Sequence, residues 1–170
     1  MRSGCCAAWR FLAVLLACVL ALAGCASPKQ QAIISDMPVN APEWQGRLSL
    51  RIQSDPATSM SAGFLLRGDT TLGRLDFYSP LGTTLAALHW SPNAVQLQQG
   101  SQLQRFDSMD ELTEQATGAP LPMSALFDWL HGIPSATPGW QADLSQLPQG
   151  LLIAQRFSPT PTVHLRIKLD

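Results

Sequence analysis

Residues 47–53 read Arg47-Leu48-Ser49-Leu50-Arg51-Ile52-Gln53, a strict alternation of polar and apolar side chains. Successive side chains of a strand point to opposite faces, so this period of two describes a half-buried strand with Leu48, Leu50 and Ile52 inward. The same reading extends toward the C-terminus. Asp55-Pro56 marks a turn within Ser54–Ser59, and Met60–Arg67 alternates again with Ala62, Phe64 and Leu66 on one face. Gly68-Asp69 turns the chain into Leu72–Tyr78, where Leu75 and Phe77 share a face opposite Arg74, Asp76 and Tyr78. Thr83–Trp90 is apolar on both faces through Leu85, Ala86, Ala87 and Leu88, which predicts cover on both sides. Val95–Gln98 and Gln102–Phe106 flank Gln99-Gly100-Ser101, a hairpin signal. Further on, Trp140–Asp143, Gly150–Phe157 and Val163–Leu169 read as strands, the last two joined around Ser158-Pro159-Thr160-Pro161. Val163, Leu165, Ile167 and Leu169 alternate with His164, Arg166 and Lys168.

Between these strand groups the period changes. Ser108-Met109-Asp110-Glu111 is a capping box, with Ser108 as N-cap. The helix it opens runs to about Thr117 and stops at Gly118. Pro122 is expected at the first position of a second helix, with Leu126, Phe127, Trp129 and Leu130 on its apolar face and Gly132 and Pro134 at its end. The sum is about eight strands in a meander with two short helices inserted late. Without βαβ alternation a parallel sheet is not expected. Consecutive antiparallel strands with one apolar face curl, which predicts a mainly β fold: an incomplete, unclosed antiparallel β-barrel with the helices plugging or lidding its open side.

The N-terminus has a different character. Arg2 and Arg10 flank an apolar run, Phe11–Leu22, that ends in Leu22-Ala23-Gly24-Cys25. The run is shorter than the ~20 residues that span a bilayer and leads into small residues, as a cleaved signal does. This is the pattern of a bacterial lipoprotein signal, in which the Cys25 thiol is lipidated and becomes the new N-terminus. The expected division is 1–24 signal peptide, 25–43 lipidated N-terminus and tether, and 44–170 folded domain. The tether carries Pro28, Pro38 and Pro42 and room for a short helix around Gln31–Ser35. Ala26, rather than Asp, follows the cysteine, which by the enterobacterial sorting rule directs the protein to the outer membrane.

Removal of the signal leaves nine basic against twelve acidic residues, and Cys25 as the sole cysteine. No disulfide or thiolate metal site is then expected in the body. There is no basic run or patch to neutralise phosphates, so nucleic acid is not an expected partner, and the scattered charges mark no docking surface. Nor is there a constellation for catalysis. His89, His131 and His164 stand in no metal spacing and beside no nucleophile motif. Asp107, Asp110, Glu111 and Glu114 are read as charges that complement the positive end of a helix rather than as a carboxylate pair. An enzyme is the least expected class, and no cofactor or metal is expected.

What remains is apolar surface. Alternation and helix-face arguments place Leu50, Ile52, Phe64, Leu66, Leu75, Phe77, Leu88, Leu126, Trp129 and Leu130 inside. They read either as plain core or as the lining of a cavity for acyl chains. Ser79-Pro80-Leu81-Gly82 puts Leu81 at a loop tip, where it either folds onto the rim or serves as an apolar finger for a membrane or partner.

Five pieces in succession carry a resemblance: Trp44-x-Gly46-Arg47, Ser61-Ala62-x-Phe64, Ser79-Pro80-Leu81-Gly82-Thr83-Thr84, Thr117-Gly118-x-x-Leu121-Pro122 and Trp129-Leu130-x-Gly132-x-Pro134. Behind a lipoprotein signal, this order resembles the outer-membrane lipoprotein receptor family LolB, from about Trp44 to Leu169. The resemblance implies an incomplete β-barrel wrapped around helices. It also implies the acceptance of acylated lipoproteins from the periplasmic carrier LolA into a hydrophobic cavity. Release into the inner leaflet of the outer membrane then follows without ATP, and a monomer anchored on the periplasmic face is expected. It implies that Leu81, flanked by Pro80 and Gly82, protrudes and is needed for delivery. The chain departs from the family in its short C-terminal part and brief tether, which raises the question of how the barrel closes. The rival readings are a structural or accessory outer-membrane lipoprotein and a lipid-binding envelope sensor on the same fold.

Overall fold

The alternation at Arg47–Gln53 is the mark of a strand with one buried face. In the computed structural model, which describes residues 37–170, that strand is β1 (Glu43–Ile52). The others are β2 (Thr58–Gly68), β3 (Gly73–Tyr78), β4 (Thr84–Ser91), β5 (Ala94–Gln99), β6 (Gln102–Phe106), β7 (Trp140–Asp143), β8 (Leu151–Arg156) and β9 (Val163–Leu169). Helices α1 (Met109–Thr117) and α2 (Met123–Leu130) lie between β6 and β7. The nine strands, rather than eight, form one antiparallel sheet in the order β6-β5-β4-β3-β2-β1-β9-β8-β7. Each strand pairs with a sequence neighbour except at β1–β9, where the first strand meets the last. Among the described residues the free edges are β6 and β7, and the chain joining them carries both helices. The short C-terminal part does not open the barrel, because β9 pairs along its length with both β1 and β8.

One glycine makes the β1–β9 seam possible. Gly46 has φ +154, and a Cβ there would stand 2.0 Å from the Lys168 carbonyl oxygen. The Trp44-x-Gly46-Arg47 piece thus has a local reason: only a residue without a side chain lets the two backbones come this close.

The inner face of the sheet and the helices share one core that includes Leu48, Leu50, Ile52, Phe64, Phe77, Leu88, Leu112, Leu152 and Leu165. This cluster, with all nine strands and both helices, lies within Met37–Asp170, which forms a compact unit by its own contacts.

Helix α1 ends and begins as read. The Ser108 side chain accepts from the Glu111 N–H at 3.1 Å, and Gly118 closes the helix in the left-handed conformation. The Glu111 carboxylate reaches back to the Asp107 N–H, one residue earlier than a standard capping box. Thr113 then organises the link to α2, because its hydroxyl accepts from the Leu121 N–H at 3.0 Å. Pro122 is the N-cap of α2, not its first helical residue, and His131 is its C-cap.

Other expectations shift. β1 starts at Glu43, one residue inside the expected tether, since Glu43 pairs with Arg67 in register and by an ion pair. β4 is covered on both sides only over part of its length. The register slips between Phe77 and Tyr78, and Leu85 falls in this irregularity and is exposed. Asp76 points outward as expected yet is buried, because it forms two hydrogen bonds with the Arg74 guanidinium beside it. The expected signal at 1–24, Cys25 and the short helix around Gln31–Ser35 lie outside the described residues.

Candidate functional site

The residues expected inside are all inside. Leu50, Ile52, Phe64, Leu66, Leu75, Phe77, Leu88, Leu126, Trp129 and Leu130 belong to one cluster, and none is more than 6% exposed. In this state they pack on one another and on the helices rather than face open space. Helix α2 is the piece at the centre. Phe127 stands edge-on between Trp44 of β1, at 5.7 Å between ring centroids, and Trp90 of β4, at 6.3 Å. Trp129 meets Trp140 of β7 at 6.2 Å. Aromatic pairs of this kind add about 0.5–1.5 kcal/mol each beyond area burial. The helix C-terminus is fastened too: the His131 ring Nδ1 lies 2.8 Å from the Phe127 carbonyl oxygen, and the Trp129 indole donates to the Ser135 carbonyl. α2 thus touches strands from both arms of the sheet, as a plug between them would.

At one end of the sheet lies the turn after β3. The Gly82 N–H donates to the Ser79 carbonyl, and the Ser79 N–H to the Thr83 carbonyl, both at 2.9 Å. The Ser79 hydroxyl accepts from the N–H groups of Leu81 and Thr83. Gly82 takes φ +81 with open space around it, so glycine is there for its conformation alone. This tight frame leaves Leu81 no route back to the rim, and it is 94% exposed. Two further apolar residues share that end: Leu85, which was expected under cover, and Phe157, which the sequence did not single out. Leu85 is exposed at the base of the same hairpin. Phe157 is exposed just beyond Arg156, which pairs with Val163, itself opposite Ile52 at the same end of β1.

Arg156 was also missed. Leu152 and Ala154 are buried on the inner face of β8, and the period of two carries Arg156 inward with them. It is buried, with one guanidinium nitrogen donating to the Pro161 carbonyl and Nε without a partner among the described residues. The alternation would have found it.

The titratable groups do not converge. His89 is buried on the outer face, and its Nδ1 has no partner among the described residues. Burial holds its pKa below the usual histidine value, the nearby Arg74 lowers it further, and Asp76 partly opposes this. Asp110 and Glu111 occupy the first turn of α1, as the helix dipole favours. Among the described residues there is no cluster of His, Cys, Asp and Glu able to hold a metal ion.

An open antiparallel shell whose inner face is apolar but for Arg156, with a helix lodged in it and a bare leucine at its rim, is the build of a protein that handles apolar cargo. A family model described as outer membrane lipoprotein LolB matches residues 42–157. The outer-membrane lipoprotein LolB of Bordetella petrii is 32% identical over 98% of this chain and 96% of its own length. That of Bordetella bronchiseptica is 31% identical over 94% and 92%, and that of Ralstonia nicotianae 36% identical over 77% and 64%. The chain belongs to the LolB family of outer-membrane lipoproteins. Its function is that of an outer-membrane lipoprotein receptor, and its place is the outer membrane.

Proposed function

We propose that this chain accepts acylated lipoproteins from a LolA-like periplasmic carrier and releases them into the inner leaflet of the outer membrane, with Leu81 as the group that enters the leaflet. In this reading residues 1–24 are the signal, Cys25 carries the lipid anchor, 25–43 form the tether, and the domain from about residue 44 onward holds the cargo. The chain acts by transfer between binding sites and does no covalent chemistry. The single observation behind the role of Leu81 is its position: a large apolar side chain held out in solvent by a hydrogen-bonded turn, at an end of the sheet where Leu85 and Phe157 are also exposed.

The energetics constrain the route. Each buried CH₂ is worth ~0.8 kcal/mol, so several long acyl chains cannot pass through water. Transfer must run downhill, from carrier to receptor to bilayer, with the chains covered throughout. The ten inner residues are packed shut, so cargo enters as α2 gives way and the acyl chains replace Phe127, Leu126 and Leu130 against the sheet. Apolar contacts are exchanged for apolar contacts, which keeps the cost of opening low.

The test is a hand-over assay. A carrier–lipoprotein complex is mixed with this protein, the location of the cargo is read by pull-down, and vesicles are then added. Cargo is expected to move to this protein without ATP. Leu81→Glu is expected to keep its fold and accept cargo but to lose release into vesicles. Release equal to wild type would end the assignment of Leu81. The closed core favours one rival, a structural lipoprotein whose interior is packed for good. That reading requires the cargo to stay on a cognate carrier, with no uptake of fatty acids by the well-folded domain.

A further inference from the structure

The outer face of β1 and β9 carries a cationic groove. Arg47 and Arg51 of β1 and Arg166 and Lys168 of β9 are four of the nine basic residues that follow position 25. Cross-strand register sets them in adjacent rows: Arg47 opposite Lys168, Ser49 opposite Arg166, Arg51 opposite His164. On the other side of β1 the same rows continue into Gly63, Ser61 and Ser59 of β2. The small side chains form a floor and the cations stand around it, leaving a cavity of about 280 Å³ lined by Arg47, Ser49, Ser61, Arg166 and Lys168. Lys168 also donates to the Gln149 carbonyl. Among the described residues the ion pairs use other arginines, Arg67 with Glu43 and Arg74 with Asp76, so the groove cations have no carboxylate within salt-bridge distance. The acidic residues Asp107, Asp110, Glu111 and Glu114 lie instead on and beside α1, which packs on β4, β5 and β6 in the other arm of the sheet.

Register also fixes which end of the sheet this is. Tyr78 at the end of β3 pairs with Gly63, and Gly63 with Arg47. The row of Ser61, Ser49 and Arg166 therefore lies one step beyond Tyr78, level with the turn that displays Leu81. Strands are spaced by roughly 4.8 Å, so the groove opens about 10–15 Å across the sheet from that turn. An apolar finger beside a cluster of unpaired cations is the pattern that binds a bilayer surface, one part entering the acyl region and the other meeting phosphates.

We propose that the groove lined by Arg47, Ser49, Ser61, Arg166 and Lys168 is a headgroup site that docks the protein on anionic phospholipid beside Leu81. It rests on the reading that the Leu81 end faces the bilayer. The guanidinium forks of Arg47 and Arg166 take phosphate oxygens in pairs, Lys168 adds a point charge, and the hydroxyls of Ser49 and Ser61 donate from the floor. The acidic α1 arm is repelled by the same surface. Docking thus orients the sheet so that the β3–β4 turn meets the membrane.

The experiment uses residues 25–170 with Cys25→Ala, so that no lipid anchor masks the effect. Its binding to vesicles of phosphatidylcholine, with and without phosphatidylglycerol, is measured by sedimentation at low and raised salt. The triple variant Arg47→Ser, Arg166→Ser, Lys168→Ser and the single variant Leu81→Glu are compared, with matched thermal melts as the control for folding. Wild type is expected to prefer the anionic vesicles in a salt-sensitive manner. At about fivefold per cation near an anionic surface, the triple variant should lose at least about tenfold of that binding and keep its binding to phosphatidylcholine. Leu81→Glu should weaken binding to both vesicles and, through its added charge, trim the anionic preference by no more than about fivefold. An unchanged anionic preference in the triple variant would overturn the proposal. So would a wild type that binds inorganic phosphate in solution but shows no preference for the anionic vesicles, which would make the groove a site for the free ion. Loss of the preference in the triple variant, with no effect of Leu81→Glu, would uphold the groove and remove the finger.

Discussion

The two faces of β1 and β9 are built from alternate residues of the same two strands, and they meet opposite demands. Inward, Leu48, Leu50, Ile52, Val163, Leu165 and Ile167 are buried in the shared core. Outward, Arg47, Arg51, Arg166 and Lys168 are exposed and, among the described residues, without an acidic partner. The difference teaches where each property is set. Burial pairs an apolar side chain with whatever lies across the core, so the inner face is coupled to α2 and to every other strand. The outer face is coupled only to its nearest rows. Stability therefore resides on one face, while the other is free to be chosen for what it meets. The third face of the comparison is the outer side of β3 and β4. There Asp76 and His89 point outward and are buried all the same, so outward is not the same as free.

The largest effect should come from the inner side. Trp129→Ala removes a fully buried indole that packs near Trp140, and is expected to cost about 3–5 kcal/mol in urea unfolding. A loss below about 1 kcal/mol would mean that α2 is a loosely held lid rather than part of the core. At the seam between the faces, Gly46→Ala forces a Cβ into the Lys168 carbonyl at a φ that other residues rarely adopt. It should cost about 1–3 kcal/mol, and amide exchange should quicken along β1 and β9 before β3–β5. Uniform exchange would show that the sheet yields as one unit.

The smallest effect belongs to the outward but buried His89. Its folded-state pKa lies below the unfolded value, so the unfolded chain binds the proton more readily. The neutral ring's stabilisation is present above about pH 6.5 and is lost as pH falls from there toward the lowered value. The melting temperature of wild type should therefore decline across this range more than that of His89→Gln. Identical pH profiles would show that the outer cluster opens to water before the core does.

Much of the fold was legible along the chain because each signal is local. Alternation of apolar side chains selects a strand and its buried face, Ser108 and Gly118 bound a helix, and Gly100 marks a hairpin; all ten residues read as inward are buried. Arg156 was legible by the same rule, since it shares a face of β8 with Leu152 and Ala154. The turn around Leu81 was visible as a turn, but its side chain could fold inward or stand out. The Ser79 hydrogen bonds decided that, and they depend on β3 and β4 being held in place.

The basic face was not legible at all. Arg47 and Arg51 stand more than a hundred residues from Arg166 and Lys168 in the chain, and neither pair makes a basic run. A sequence determines which way each side chain points relative to its own strand, because that depends on backbone geometry alone. Which strands lie side by side depends on how the last strand closes against the first, and only tertiary pairing of β1 with β9 gathers the four charges into one groove.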